Sequence, residues 1–164
     1  METQKIKNRK KIKKLTALGI RRLNFSLDTL DPVKFARITG RNRFQHVENA
    51  IFAAHELGIS PIKINTVILW GINDDEIEDI TALTLSYPFQ VRFIEYMPMG
   101  DSAVEKQQQI LTGEIKERIE SRFGKLVSIK RTTNDGPAKK FQIENAMGIV
   151  GFITPISSHF CSEC

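Results

Sequence analysis

Apolar positions follow two rhythms along this chain. From residue 1 to 18 the spacing is weakly helical, with Ile12, Leu15 and Leu18 at three-residue steps and Gly19 as a stop. Ile20 to Leu27 then reads as a strand. Asp31-Pro32 reads as an N-cap with proline in the first turn of a short helix ending near Gly40. Residues 44–57 place Val47, Ala50, Ile51, Ala54 and Leu57 on one helical face, and Gly58 ends it. After Pro61, Ile62 to Leu69 predicts a strand whose second half is apolar throughout, as if buried on both faces. Asn73 with Glu76 three residues on predicts a capped helix start, running to Ser86 before Pro88. Gln90 to Tyr96 predicts a third strand.

Strand and helix thus alternate at about 30 residues, the mark of a parallel sheet with right-handed crossovers. Ligand chemistry in such sheets gathers at the carboxyl ends of the strands. Here those ends supply Ser26 and Asp28, then Lys63 to Leu69, then Glu95 to Gly100. Beyond Gly100 the rhythm changes. Thr112 is the expected cap of a helix with Ile115, Ile119 and Phe123 on one stripe, ended by Gly124. Leu126–Lys130, Lys140–Ile143 and Gly148–Thr154 are short strand-like pieces with turn residues between them, expected to be antiparallel. No low-complexity linker divides the chain.

Composition sharpens this picture. The 164 residues are 41% hydrophobic, enough for one domain with a sizeable core. No run approaches the roughly 18 apolar residues of a membrane span, and no secretory signal is seen. Two cysteines make no disulfide framework, so a reducing, intracellular setting is expected. The net charge of +5 comes from one place. Residues 1–14 hold seven Lys and Arg against Glu2, a balance of +6, which leaves the other 150 residues at −1. That basic arm suits nucleic acid or an organelle receptor, but a solvated helix face or ragged end is the favoured reading.

The candidate chemistry begins with Ser157-Ser158-His159-Phe160-Cys161-Ser162-Glu163-Cys164, which contains both cysteines. A Cys-x-x-Cys pair serves a metal, a cluster or a redox disulfide, and two buried thiols are the plain alternative. Two thiolates do not complete a tetrahedral site. Of the three histidines, His46 and His55 fall within a helical pattern. Lys63 is one cation in a mostly apolar strand, suited to an anionic ligand or to an exposed strand start. Ser26 and Asp28 suit a ligand at the sheet edge, but Asp28 and Thr29 equally suit a turn. Asp28 and Glu95 are a candidate acid–base pair, with nothing to set their distance. Methionines such as Met97 pack more often than they bind. Glycine-rich phosphate loops, nucleophile elbows and His-Glu-x-x-His are all missing from the sequence.

Five collinear strings resemble the GTP 3′,8-cyclase family of radical S-adenosylmethionine enzymes, which act in molybdenum cofactor biosynthesis. They are Leu18 to Leu30 (with Asn24-Phe25-Ser26-Leu27-Asp28), Lys63 to Ile68, Gly71 to Glu76, Arg92 to Met97, and Ser157 to Cys164. The resemblance implies an α/β fold, part of an incomplete (βα)6 barrel, with a C-terminal antiparallel α+β extension. It divides the chain into a basic arm (1–14), half of the barrel (15–100) and the extension (101–164). It implies two 4Fe–4S clusters, with S-adenosylmethionine contacted by Ser26 and Met97, GTP by Lys63, and the second cluster by Cys161 and Cys164.

The family's Cys-x-x-x-Cys-x-x-Cys loop is not in this sequence, nor is the third cysteine of the second cluster. The polypeptide by itself is therefore expected to be catalytically silent. A non-catalytic half-barrel that binds a nucleotide or a partner is the competing reading. GTP is the expected partner, with a homodimer or a missing N-terminal half as the protein partner. Nucleic acid is disfavoured and no membrane is expected. The expected compartment is the cytoplasm, or the mitochondrion in a eukaryote.

Overall fold

A computed structural model describes residues 2–97, 108–130 and 136–157, with side chains from residue 9 onward. Its strands are β1 (Leu23–Ser26), β2 (Ile62–Val67), β3 (Phe89–Ile94), β4 (Val127–Ser128), β5 (Lys139–Gln142) and β6 (Ile149–Ile153). Its α-helices are α1 (Glu2–Ala17), α2 (Pro32–Thr39), α3 (Phe44–Glu56), α4 (Ile77–Ser86) and α5 (Thr112–Phe123), and one 3-10 turn spans Asp74–Glu76. The six strands form one mixed sheet in the order β1-β2-β3-β6-β5-β4, and the sheet is not closed.

β1, β2 and β3 are parallel neighbours, as the strand–helix rhythm predicts. The C-terminal strands depart from expectation. β5 does pair antiparallel with both β4 and β6, but β6 lies parallel to β3 and so extends the first sheet. The reason is that α5 acts as one more crossover helix. It buries Ile115 and Ile119 and packs on α4, returning the chain to the start of the sheet. Gly148 permits the entry: a Cβ there would stand 2.3 Å from the Phe89 carbonyl oxygen. Its amide donates to the Thr84 carbonyl at 2.8 Å.

One face of the sheet carries the core. Ile62, Ile64, Phe89, Val91, Phe93, Val150 and Phe152 are buried there with Ile51, Ala54, Ile77 and Ile80 of the helices. Clustering these side chains away from water is the main stabilising term. β2 alternates buried and half-buried residues, so it is not covered on both faces as its apolar second half suggested. Ile68 is buried but lies past the strand's end.

The basic N-terminal stretch is part of α1, a helix that runs through residue 14 without a break. It packs on α3, with Ile12 buried and Arg9 paired to Glu56 at 2.8 Å. Among the described residues, no helix is long and apolar enough to cross a membrane.

Candidate functional site

The register decides what the sheet's other face presents. Asn24, Lys63, Gln90 and Ile149 lie side by side in one row. Ser26, Asn65, Arg92, Gly151 and Lys140 form the next row toward the carboxyl ends. Side chains in register on neighbouring strands share a face. These two rows are polar and cationic apart from Ile149 and Gly151, the row beyond them (Val67, Ile94, Ile153) is apolar, and the strand residues of this face include no carboxylate.

Arg92 is the centre of it. The side chain is buried, and burial lowers the guanidinium's pKa from its ordinary value. Its Nε donates to Asn65 Oδ1 at 2.8 Å, and Nη2 reaches Asn24 Oδ1 at 3.4 Å. Two neutral amide oxygens orient the cation without neutralising it, which leaves the charge for an anion. Gly151 makes room: a Cβ there would meet Arg92 Cγ at 3.1 Å and the Ala138 Cβ at 3.4 Å. Lys63, Arg92 and Lys140 line one small cavity with Gly136 and Gly151.

The expected residues fall into three groups. Ser26 ends β1 on this face with its side chain exposed, and half-buried Lys63 shares the face on β2. Met97 lies three residues beyond β3 and is 45% exposed. Cys161 and Cys164, with His159, lie outside the described residues. His55 packs edge-on against the rings of Tyr87 and Phe89, a core role. No group of three His, Cys, Asp or Glu among the described residues could hold a metal ion.

Asp28 and Glu95 are not set up as an acid–base pair, because each carboxylate is committed elsewhere. Asp28 Oδ1 accepts from the Val67 amide at 2.9 Å, taking the place of a strand carbonyl. Burial raises its pKa, and the Val67 hydrogen bond offsets part of that rise. Glu95, 1% exposed, accepts from the Thr112 amide at 3.0 Å. It also accepts from the amides of Ile156 and Ser157 at 3.1 and 3.0 Å, and from the Ser157 hydroxyl at 2.6 Å. Burial pushes this carboxyl up, but these hydrogen bonds outweigh it and the net shift is down. Glu95 thus joins the end of β3, the start of α5 and the segment after β6. Thr112 is the first residue of α5, and Glu95 caps its amide.

Asn73 and Glu76 also act otherwise than the predicted capping box. Asn73 is buried and makes no cap hydrogen bond. Its side chain donates to the Asp28 and Val67 carbonyls and accepts from the Leu69 amide. Glu76 accepts from the Thr29 hydroxyl and the Leu30 amide, both at 2.6 Å, and from Lys34 at 3.1 Å. The two residues clamp the loop after β1 to the loop after β2.

Sequence reasoning missed Arg92 and Lys140 as members of the site. The signal was present as polar residues two apart in three successive strands: Asn24 and Ser26, Lys63 and Asn65, Gln90 and Arg92. Only strand register puts them in common rows.

Residues 1–84 match the family model described as the Radical SAM superfamily, and residues 89–164 match the one described as Molybdenum Cofactor Synthesis C. A GTP 3′,8-cyclase of Gloeobacter violaceus is 46% identical over 151 residues, covering 92% of this chain and 46% of that protein. One from Syntrophomonas wolfei is 45% identical over 151 residues, with the same coverage. One from Thermodesulfovibrio yellowstonii is 41% identical over 164 residues, covering all of this chain and 51% of that protein. The chain spans about half the length of the curated relatives it matches.

Proposed function

This chain belongs to the radical SAM superfamily, and from that premise we propose that it is part of a GTP 3′,8-cyclase. That enzyme converts GTP to (8S)-3′,8-cyclo-7,8-dihydroguanosine 5′-triphosphate in molybdenum cofactor biosynthesis. The open sheet is then part of the incomplete barrel, with the polar face inward. The observation that carries the reading is Lys63 and Arg92 on one carboxylate-free sheet face. Such a face offers an anionic nucleotide fixed positive charge at low dielectric.

Ser26 and Met97 stand at the carboxyl ends of β1 and β3, with β2 between them. Both lie on the side of the sheet where its parallel strands end, the side at which S-adenosylmethionine would be held. Cys161 and Cys164 would hold an iron–sulfur cluster as two of its ligands, and their spacing fits that donor set. When bound, that cluster would offer the guanine of the substrate an iron site not filled by cysteine. Glu95 fixes the backbone at Ser157, four residues before Cys161. Arg92 and Lys63 hold and orient the phosphates.

Calorimetric titration of the chain with GTP under anaerobic conditions tests this. Hydrogen bonds to charged groups contribute ~1.5–3 kcal/mol, so Arg92→Ala and Lys63→Ala should each weaken GTP by about 10- to 150-fold. Failure of the unsubstituted chain to bind GTP, or full affinity in both variants, would overturn the proposal.

A further inference from the structure

We propose that the cavity between α3 and α4 is a second binding site, and that it takes a small organic cation with an aromatic body, an arylalkylammonium. It lies on the core face of the sheet, away from Lys63 and Arg92, and does not depend on the nucleotide reading. Its volume is about 170 Å³. An apolar void of ~150 Å³ stays dry and accepts benzene, so this one has room for a ring and a short link.

The packing of the helices opens it. Among the helices, α3 packs chiefly on α1, and α4 packs on α5. Phe52 reaches across from α3, its ring centroid 5.2 Å from that of Tyr87 and 6.1 Å from that of Phe89. Tyr87 stands at the entry to β3, so Phe52 closes the gap toward the amino ends of the strands. The cavity occupies the space on the other side of that ring. Phe44, Glu48, Ile51 and Phe52 recur at i, i+4, i+7 and i+8, which puts them on the one face of α3 that lines it. Ile64 and Phe89 of the sheet form the floor. Leu30, Glu48 and Leu83 are half-buried and mark the mouth.

Glu48 decides the class of ligand. It is a carboxylate among lining side chains that are otherwise all apolar. It accepts from the side-chain amide of Gln45, which is neutral. Among the described residues no salt bridge involves it. A half-buried carboxylate with a neutral partner keeps its charge for a cation. The rings of Phe44, Phe52 and Phe89 offer an aromatic body edge or stacking contacts, and their faces attract positive charge. An anion would meet Glu48 at the mouth, and a neutral ring would leave that carboxylate unused.

The test is NMR titration of the full chain with benzylamine and benzyl alcohol, which share a shape and differ in charge. Benzylamine should bind at least fivefold tighter. It should shift the methyl resonances of Ile51, Ile64 and Leu83 and leave those of Ile149 and Ile153, on the opposite face, in place. Glu48→Gln should bring the two affinities within twofold. Glu117→Gln, which removes an exposed carboxylate of α5, should change neither. Leu83→Phe fills the cavity from its mouth and should weaken both ligands at least tenfold. If Glu48→Gln or Leu83→Phe does not fold, benzoate titrated into the unsubstituted chain decides, and it should bind more weakly than benzyl alcohol. Equal affinities of the unsubstituted chain for benzylamine and benzyl alcohol would overturn the proposal. So would equal effects of the Glu48 and Glu117 changes, or no saturable binding of benzylamine up to about 10 mM.

Discussion

The hydroxyl of Ser157 donates to the buried Glu95 carboxylate at 2.6 Å, and the Ser157 amide donates to the same group at 3.0 Å. The residue just past the carboxyl end of β3 thereby holds the turn that follows β6. The segment it holds continues to the Cys-x-x-Cys pair.

Glu95→Gln should therefore destabilise the chain by ~2–4 kcal/mol, since an amide NH2 would face backbone N–H groups in a buried site. Urea unfolding followed by circular dichroism measures this. A loss below about 0.5 kcal/mol would show that the four contacts do not hold in solution. The lowered carboxyl also sets a pH dependence. A depressed folded-state pKa stabilises the fold above the unfolded value near 4.5, and this contribution is lost as pH falls through the folded value. The stability gap between Glu95→Gln and the unsubstituted chain should narrow as pH falls below about 4.5.

Asp28 should behave in the opposite sense. Its pKa is raised in the fold, so the ionised form is penalised once pH passes the unfolded value of 3.8. Asp28→Asn keeps an oxygen for the Val67 amide and removes the buried charge. We expect it to be neutral to stabilising at pH 7, with the two proteins converging at or below pH 3.8. Denaturant titrations at the two pH values check this. A variant clearly less stable at pH 7 would mean that the charge itself is used.

Asn73→Ala separates a helix cap from an interloop clamp. Loss of an N-cap costs ~1 kcal/mol, whereas loss of a buried side chain with three backbone partners costs ~3 kcal/mol or more. The larger value is expected, measured as a shift in the urea midpoint at unchanged slope. A value near 1 kcal/mol would restore the capping-box reading.

Two cysteines cannot supply the three thiolates of a Cys-x-x-x-Cys-x-x-Cys cluster loop. Incubated anaerobically with dithionite, S-adenosylmethionine and GTP, this polypeptide should form no 5′-deoxyadenosine above background. Chromatography of the reaction mixture checks it, and clear turnover would reverse the expectation of silence.

Local signals in the chain were enough for α2, α3, α4, β2 and β3. Asp31-Pro32, the apolar stripe at 47–57 and the 30-residue rhythm each act over a turn or a strand, where periodicity and capping dominate. The same signals located Ser26 at a carboxyl strand end and Met97 just beyond one, but Lys63, expected at such an end, is the second residue of β2, at its amino end. They did not reveal that Asn73, Glu76 and Glu95 have long-range partners. A polar residue beside a helix start looks like a cap until the distant amide that it satisfies is known.

What the chain determined unaided was which segments become strands and helices, because those choices rest on neighbours within about four positions. Tertiary structure alone decided that β6 runs beside β3 and that Lys63, Arg92 and Lys140 share one face. Register across a sheet depends on pairing residues that are tens of positions apart. A slip of one residue would have turned all three cations to the opposite side.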